Sequence, residues 1–72
     1  MPKLPVLSGR EVVLALERLG FVQMRQRGSH VILQRAGIGV VVPLHRELKT
    51  GTLAGIVRQA GLSQDKFLEA VR

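Results

Sequence analysis

The chain contains no cysteine, tryptophan or tyrosine, and its only aromatic residues are two phenylalanines. Without cysteine there is no disulfide and no thiolate metal ligand, so apolar residues, 46% of the 72, must form the core unaided. We expect both phenylalanines, Phe21 and Phe67, in that core, which leaves no aromatic platform on which single-stranded bases could stack. The absence of cysteine also fits a cytoplasmic protein, which we expect here.

Long apolar runs and acidic residues are scarce as well. No apolar stretch approaches the ~18 residues of a membrane span, and prolines interrupt the opening "MPKLPVLSG", so we predict neither a membrane segment nor a secretory signal. Residues 1–72 are expected to form a single domain. Eleven Lys and Arg against five Asp and Glu give a formal charge of +6. That excess favours a polyanionic partner, either nucleic acid or an acidic protein.

Capping residues and the spacing of apolar residues predict the first helix. Ser8 and Glu11 match the capping box S-x-x-E, and apolar residues recur at helical spacing from Val12 onward. Gly20 is placed to end the helix. The pattern predicts a helix over roughly residues 9–19, to within about 2–4 residues.

Three strands are predicted next, in "FVQMRQR", "HVILQR" and "VVVP", joined by turns at Gly28-Ser29 and at "AGIG". Alternation in the first strand predicts Val22 and Met24 on one face, with Gln23, Arg25 and Arg27 on the other.

Two further helices are predicted after the strands. Thr50 is expected to cap a second helix that stops at Gly61, and Ser63 to start a short last one. The predicted fold class is α+β: a two-layer αβββα arrangement whose three-stranded antiparallel sheet carries both main helices on one face.

His30 is the first candidate for chemistry. The parity of its strand places it opposite Val31 and Leu33, on the exposed face with Arg25 and Arg27. An imidazole can transfer protons near neutral pH and guanidinium groups can hold a phosphate, a combination suited to phosphodiester chemistry. From spacing alone, however, an exposed strand histidine without a role is the favoured interpretation of His30. His45 is a second candidate, for which a loop histidine without a role is again the favoured interpretation.

Other chemistries have little support in the sequence. The two histidines share no short ligand spacing, so we predict no metal site and no cofactor. Ser29 has no evident acidic residue to complete a triad, and is better explained as a turn former or as a hydrogen-bond donor to a phosphate. Lys49, Thr50 and Thr52 at the start of the second helix could form an anion site or serve only as capping residues; the two interpretations are equally supported.

Several segments resemble the HicA (YcfA-like) toxins of HicA–HicB toxin–antitoxin modules. They are "LSGREVVLALERLGF", "RQRGSHVIL", "VVVPLHRELKTGTLAGIVRQAGLS" and "FLEAV", and together they cover nearly the whole chain. The resemblance implies a fold like that of a double-stranded-RNA-binding domain. It also implies a metal-independent endoribonuclease that cleaves mRNA and inhibits translation, with a HicB-type antitoxin as partner.

The resemblance also implies roles for individual residues. His30 corresponds to the catalytic histidine that follows the Gly-Ser turn. The expected substrate-binding set combines these family positions with the nearby cations and comprises Gly28, Ser29, Arg25, Arg27, His45, Lys49 and Thr52. The sequence departs from relatives in the short "RAGIG" turn and in "RELK", which puts substrate preference in doubt. A non-catalytic double-stranded-RNA-binding module or a protein-interaction module of the same fold remains the alternative.

Overall fold

A computed structural model describes residues 4–72. Its elements are α1 (Gly9–Arg18), β1 (Val22–Arg27), β2 (His30–Arg35), β3 (Ile38–Pro43), α2 (Thr50–Gln59) and α3 (Gln64–Val71). The strands form one antiparallel sheet in the order β1-β2-β3. The predicted α+β class and αβββα order are confirmed. Pro2, one of the prolines in the opening segment, lies outside the described residues. Within the described range, every helix is too short or too polar to cross a bilayer.

The predicted capping box starts α1. The Glu11 N–H donates to Ser8 Oγ at 3.1 Å, and the Ser8 N–H donates back to Glu11 Oε1 at 3.0 Å. These two bonds satisfy amide groups that a helix N-terminus would otherwise leave unpaired. Gly20 follows the helix with φ +96°, the left-handed region expected where glycine ends a helix.

The core lies between the helices and one face of the sheet. On that face the side chains of Val31, Leu33, Val40 and Val42 are buried, and α1 and α2 both pack there. On the other face Ile32 is only half-buried and Val41 is exposed. Both main helices therefore cover the same face, as expected, and the second face is open. Phe21 and Phe67 are buried in the core, also as expected.

A β-bulge in β1 overturns part of the predicted alternation. Gln23 pairs with Leu33, but the next pair is Arg25 with Ile32, so Met24 is an extra residue. Because Leu33 faces the core, its partner Gln23 lies on the helix-facing side of the sheet, and grouping it with the two arginines was wrong. Arg25 lies on the open face, as expected, because its partner Ile32 is there.

The second turn is tighter than predicted. Arg35 pairs with Ile38, so only Ala36 and Gly37 form the turn, and β3 begins at Ile38 instead of Val40. Both turn residues have positive φ, +49° and +82°, as a type I′ hairpin turn requires. The expectation of a four-residue "AGIG" turn was therefore wrong. A two-residue turn requires Ala36 to have a positive φ, a conformation that alanine seldom adopts.

The start of α2 also differs from the prediction. The helix begins at Thr50, so the cap position belongs to Lys49, and no side chain caps the helix there. Thr50 was predicted to be that cap, which is wrong by one residue. The predicted end is confirmed, since Gly61 follows the helix with φ +74°.

The terminal helix α3 is anchored at both ends. Ser63 caps it as predicted, with Oγ accepting from the Lys66 N–H at 3.1 Å. At the other end Arg18 Nη1 donates to the Ala70 carbonyl oxygen at 2.7 Å and to that of Arg72 at 3.3 Å. Arg18 thereby satisfies carbonyls that the end of a helix leaves unpaired. Between these ends Phe67 is fully buried, so α3 completes the core.

Candidate active site

His30 stands at the head of β2, directly after the Gly28-Ser29 turn. Val31 and Leu33 point into the core, so the alternation of the strand places His30 on the open face, where it is exposed. Its partner across the hairpin is Arg27, and side chains of such directly paired residues start from Cβ atoms about 4.5–5.5 Å apart. The predicted imidazole beside a guanidinium, accessible to water, is thus present.

A groove runs from His30 along the loop that joins β3 to α2. It has a volume of about 340 Å³, and its lining residues are His30, Pro43, His45, Glu47, Leu48, Lys49 and Thr52. Both histidines of the chain therefore contribute to one concave surface, although they come from different elements. The volume is at the lower end of the roughly 300–1,000 Å³ typical of small-molecule sites.

Main-chain hydrogen bonds hold the loop that carries His45. The Leu44 N–H donates to the Ser29 carbonyl oxygen at 2.6 Å, which extends the β2–β3 pairing beyond Pro43. The Gly9 N–H donates to the His45 carbonyl oxygen at 2.9 Å, joining the loop to the start of α1. These bonds fix the backbone at His45 next to the turn that presents His30.

Gly9 is required at this junction because the backbones approach very closely. A Cβ atom at Gly9 would lie 2.8 Å from Leu44 Cα, and closer still to the carbonyl oxygen of Pro43. Glycine therefore allows α1 to contact the loop directly and to donate its amide to His45.

The N-terminus of α2 contributes positive potential to the groove. The first intrahelical bond runs from the Leu53 N–H to the Lys49 carbonyl at 2.9 Å, so the N–H groups of Thr50, Gly51 and Thr52 have no partner within the helix. The first turn contains no acidic residue, and Lys49 adds a full charge at the cap position. Free amides and a helix dipole of this kind favour an anion, and phosphate in particular.

The structure assembles most of the predicted set, but in two groups. His30, His45, Lys49 and Thr52 share the groove, whereas Arg27 adjoins it across the hairpin. Arg25 lies one open-face pair further along the sheet.

Gly28 and Ser29 form the turn itself. Gly28 has φ +57°, and Ser29 contributes its carbonyl oxygen to the bond from Leu44. Through these contacts the turn positions His30 and the loop that carries His45.

Glu47 is a groove residue that the sequence did not single out. It lies between His45 and Lys49 in "HRELK", and it lines the groove together with both histidines. The only signal for it in the sequence was this proximity, which the charge pattern of an exposed loop explains equally well. Neither in this groove nor in the rest of residues 4–72 are three His, Asp or Glu side chains grouped so that they could hold a metal ion.

Comparison with known proteins assigns the chain to a family. A protein-family model described as the HicA toxin of bacterial toxin–antitoxin systems matches residues 9–62. The match runs from the first residue of α1 to just beyond α2, and it includes every residue that lines the groove. No curated protein matches the chain significantly. Because the family match covers well over half of the sequence, the chain belongs to the HicA toxin family and is the toxin component of a bacterial toxin–antitoxin module, which implies a cognate antitoxin as its partner.

Proposed function

We propose that this toxin is a metal-independent endoribonuclease that cleaves mRNA and so inhibits translation, with His30 as a general acid or base. The observation that supports the proposal is the position of His30. Its exposed imidazole opens onto a groove that also holds His45, Lys49 and the N-terminus of α2. A proton-transfer group next to a phosphate-binding surface is the combination that cleavage of a phosphodiester needs.

The proposed reaction is an internal transphosphorylation. The ribose 2′-OH loses its proton and attacks the adjacent phosphorus, and the bond from phosphorus to the 5′ oxygen breaks. The products are a 2′,3′-cyclic phosphate and a 5′-OH, and the departing oxygen takes up a proton. His30 carries out one of these proton transfers, while Lys49 and Arg27 neutralise the charge on the phosphate. DNA lacks the 2′-OH and should not be cleaved.

Contacts to the RNA backbone dominate binding in this proposal. Both phenylalanines are buried, so neither can stack on a base. The surfaces near His30 offer cations instead, from Arg25 and Arg27 on the open face and Lys49 in the groove. Binding should therefore weaken steeply as salt is added, because neutralised phosphates release counterions.

The open face of the sheet also suits the antitoxin. Ile32 and Val41 form an apolar strip beside Arg25 and Arg27, with His30 at its end. A HicB-type antitoxin with an acidic, partly apolar surface could cover this strip, and electrostatic complementarity would orient it. Such a partner would inhibit the toxin by occluding His30.

The test is an RNA-cleavage assay in EDTA with the wild type, His30→Ala and Gln34→Ala. Gln34 is a matched control because it is exposed on the same strand and the same face as His30. We expect the wild type and Gln34→Ala to cleave RNA to cyclic-phosphate ends, and His30→Ala to be slower by about 10²–10⁴-fold.

Other outcomes would contradict the proposal in identifiable ways. Wild-type activity in a folded His30→Ala protein excludes the assigned histidine, and a requirement for Mg²⁺ excludes the metal-independent scheme. Salt-sensitive binding to duplex RNA that stays intact indicates a non-catalytic RNA-binding module. No binding to RNA even at low salt indicates a protein-interaction domain.

A further inference from the structure

We propose that His45 is a second catalytic residue, which makes the proton transfer opposite in direction to that of His30. This inference rests on the endoribonuclease function proposed above. Transphosphorylation needs one proton removed from the 2′ oxygen and one delivered to the 5′ oxygen. Two imidazoles, one neutral and one protonated, can perform both transfers in a single step.

The fold brings the two rings to one groove from separate elements. His30 pairs with Pro43 across the sheet, and His45 follows Pro43 by two residues, where the chain has left the strand. Both histidines are exposed, and both line the groove. In an in-line displacement the attacking and departing oxygens lie on opposite sides of the phosphorus. An acid and a base on two different elements suit that geometry better than one side chain acting twice.

Thr52 and Lys49 define where the phosphate would sit in the same groove. Both lie in the first turn and cap of α2, a turn that contains no acidic residue. The one acidic residue that lines the groove, Glu47, belongs to the loop before the helix. A phosphate held there would lie in the groove that both imidazoles line. His30 and His45 are then placed to reach the oxygens that exchange protons.

The ring of His45 is not what anchors its loop. The bond that joins the loop to α1 uses the carbonyl oxygen of His45, and the bond from Leu44 to Ser29 is also between main-chain atoms. Removing the imidazole therefore leaves both anchors in place. A role in chemistry can be separated from a role in structure by changing the side chain alone.

The experiment compares two forms of the same RNA oligonucleotide, one with an ordinary linkage and one with sulfur in place of the bridging 5′ oxygen. The enzymes are the wild type, His30→Ala, His45→Ala and, as a control, Arg46→Ala, which changes the exposed neighbour of His45. A thiolate leaves without being protonated, because thiols are far more acidic than alcohols (a cysteine thiol has a pKa of about 8.5). Loss of the general acid should therefore slow cleavage of the oxygen linkage but not of the sulfur linkage.

We expect His30→Ala and His45→Ala each to lower kcat by at least about 10²-fold on the ordinary linkage, with Arg46→Ala unchanged. On the sulfur linkage one of the two histidine variants should recover to near the wild-type rate, and that variant identifies the acid. The pH dependence of kcat/KM should be bell-shaped for the wild type, and each variant should lose one of its two limbs. Thermal denaturation checks that all variants are folded.

The outcomes separate this inference from the function on which it rests. If His45→Ala keeps the wild-type kcat while His30→Ala loses it, His45 is not catalytic and the nuclease assignment stands. If both variants stay equally slow on the two linkages, neither protonates the leaving oxygen and the division of roles is wrong. If the wild type cleaves neither substrate, both proposals fail together.

Discussion

Replacing Gly9 with alanine should lower both the stability and the activity of this toxin. The added methyl would lie 2.8 Å from Leu44 Cα and closer still to the Pro43 carbonyl oxygen. Carbon atoms in contact are normally about 3.5–4.0 Å apart, so α1 and the loop must separate by at least about 0.7 Å. Both crowded atoms belong to the main chain, so no side-chain rotation can relieve the clash.

The structure allows the size of the effect to be worked out. Overpacking of this kind typically costs about 1–3 kcal/mol. Separation of the helix from the loop also weakens the bond from the Gly9 N–H to His45, which is worth about 1 kcal/mol. We therefore expect the free energy of unfolding to fall by about 2–4 kcal/mol, out of about 4–11 kcal/mol for a chain of this length. If His45 acts as proposed above, its displacement by close to 1 Å should also slow RNA cleavage by up to about 10²-fold.

Urea denaturation of Gly9→Ala and Gly55→Ala measures the effect. Gly55 is the matched control, since it lies inside α2 and a methyl there meets only an Arg58 guanidinium nitrogen at 3.9 Å. Alanine inside a helix is more favourable than glycine by roughly 0.5–1 kcal/mol, so Gly55→Ala should be more stable than the wild type. An unchanged urea midpoint for Gly9→Ala would refute the packing argument, as would equal shifts in the two variants.

Three further predictions concern the core, the second turn and the open face. Phe67→Ala leaves a cavity at a fully buried position and should lower the free energy of unfolding, measured by urea denaturation, by about 3–5 kcal/mol. A loss below about 1 kcal/mol would mean that α3 contributes little to the core. Ala36→Asn should raise the melting temperature and increase the free energy of unfolding by up to about 1 kcal/mol, because asparagine tolerates the φ of +49° better than alanine. A lower melting temperature would contradict the type I′ assignment. Arg27→Gln should reduce the slope of log binding constant against log salt by about 0.7 for single-stranded RNA; an unchanged slope would show that Arg27 touches no phosphate.

The sequence predicted those parts of the fold that depend on neighbouring residues. Ser8 with Glu11, Ser63, and the glycines that end α1 and α2 each act within one turn of chain, so their residue types are sufficient evidence. The two faces of β2 were predicted equally well, because burial of alternate residues leaves a clear pattern in that strand.

The bulge in β1 could not be predicted for the opposite reason. Every residue of that strand is exposed, so polarity does not distinguish its two faces and an inserted residue such as Met24 leaves no trace. The turn at Ala36 was misjudged because alanine gives no hint of a positive φ.

The sequence predicted most residues of the candidate site, but not the groove in which they come together. His30 could be placed on the open face from the parity of its strand. That His45 and Glu47 join it depends on the contact between Gly9 and the loop, which links segments distant in sequence. Motif resemblance supplied the association of His45 with the site, and only the tertiary structure gives the physical reason.

Main-chain hydrogen bonds hold together the segments that form the groove. Ser29 is joined to Leu44, Gly9 to His45 and Leu7 to Leu48, in each case by a bond between an amide and a carbonyl. Substitutions at exposed positions on its rim can therefore accumulate in diverging lineages with little loss of folding stability. Under the function proposed above, such a scaffold would let preference for different RNA targets, or for different antitoxins, evolve while the backbone that presents the two imidazoles stays the same.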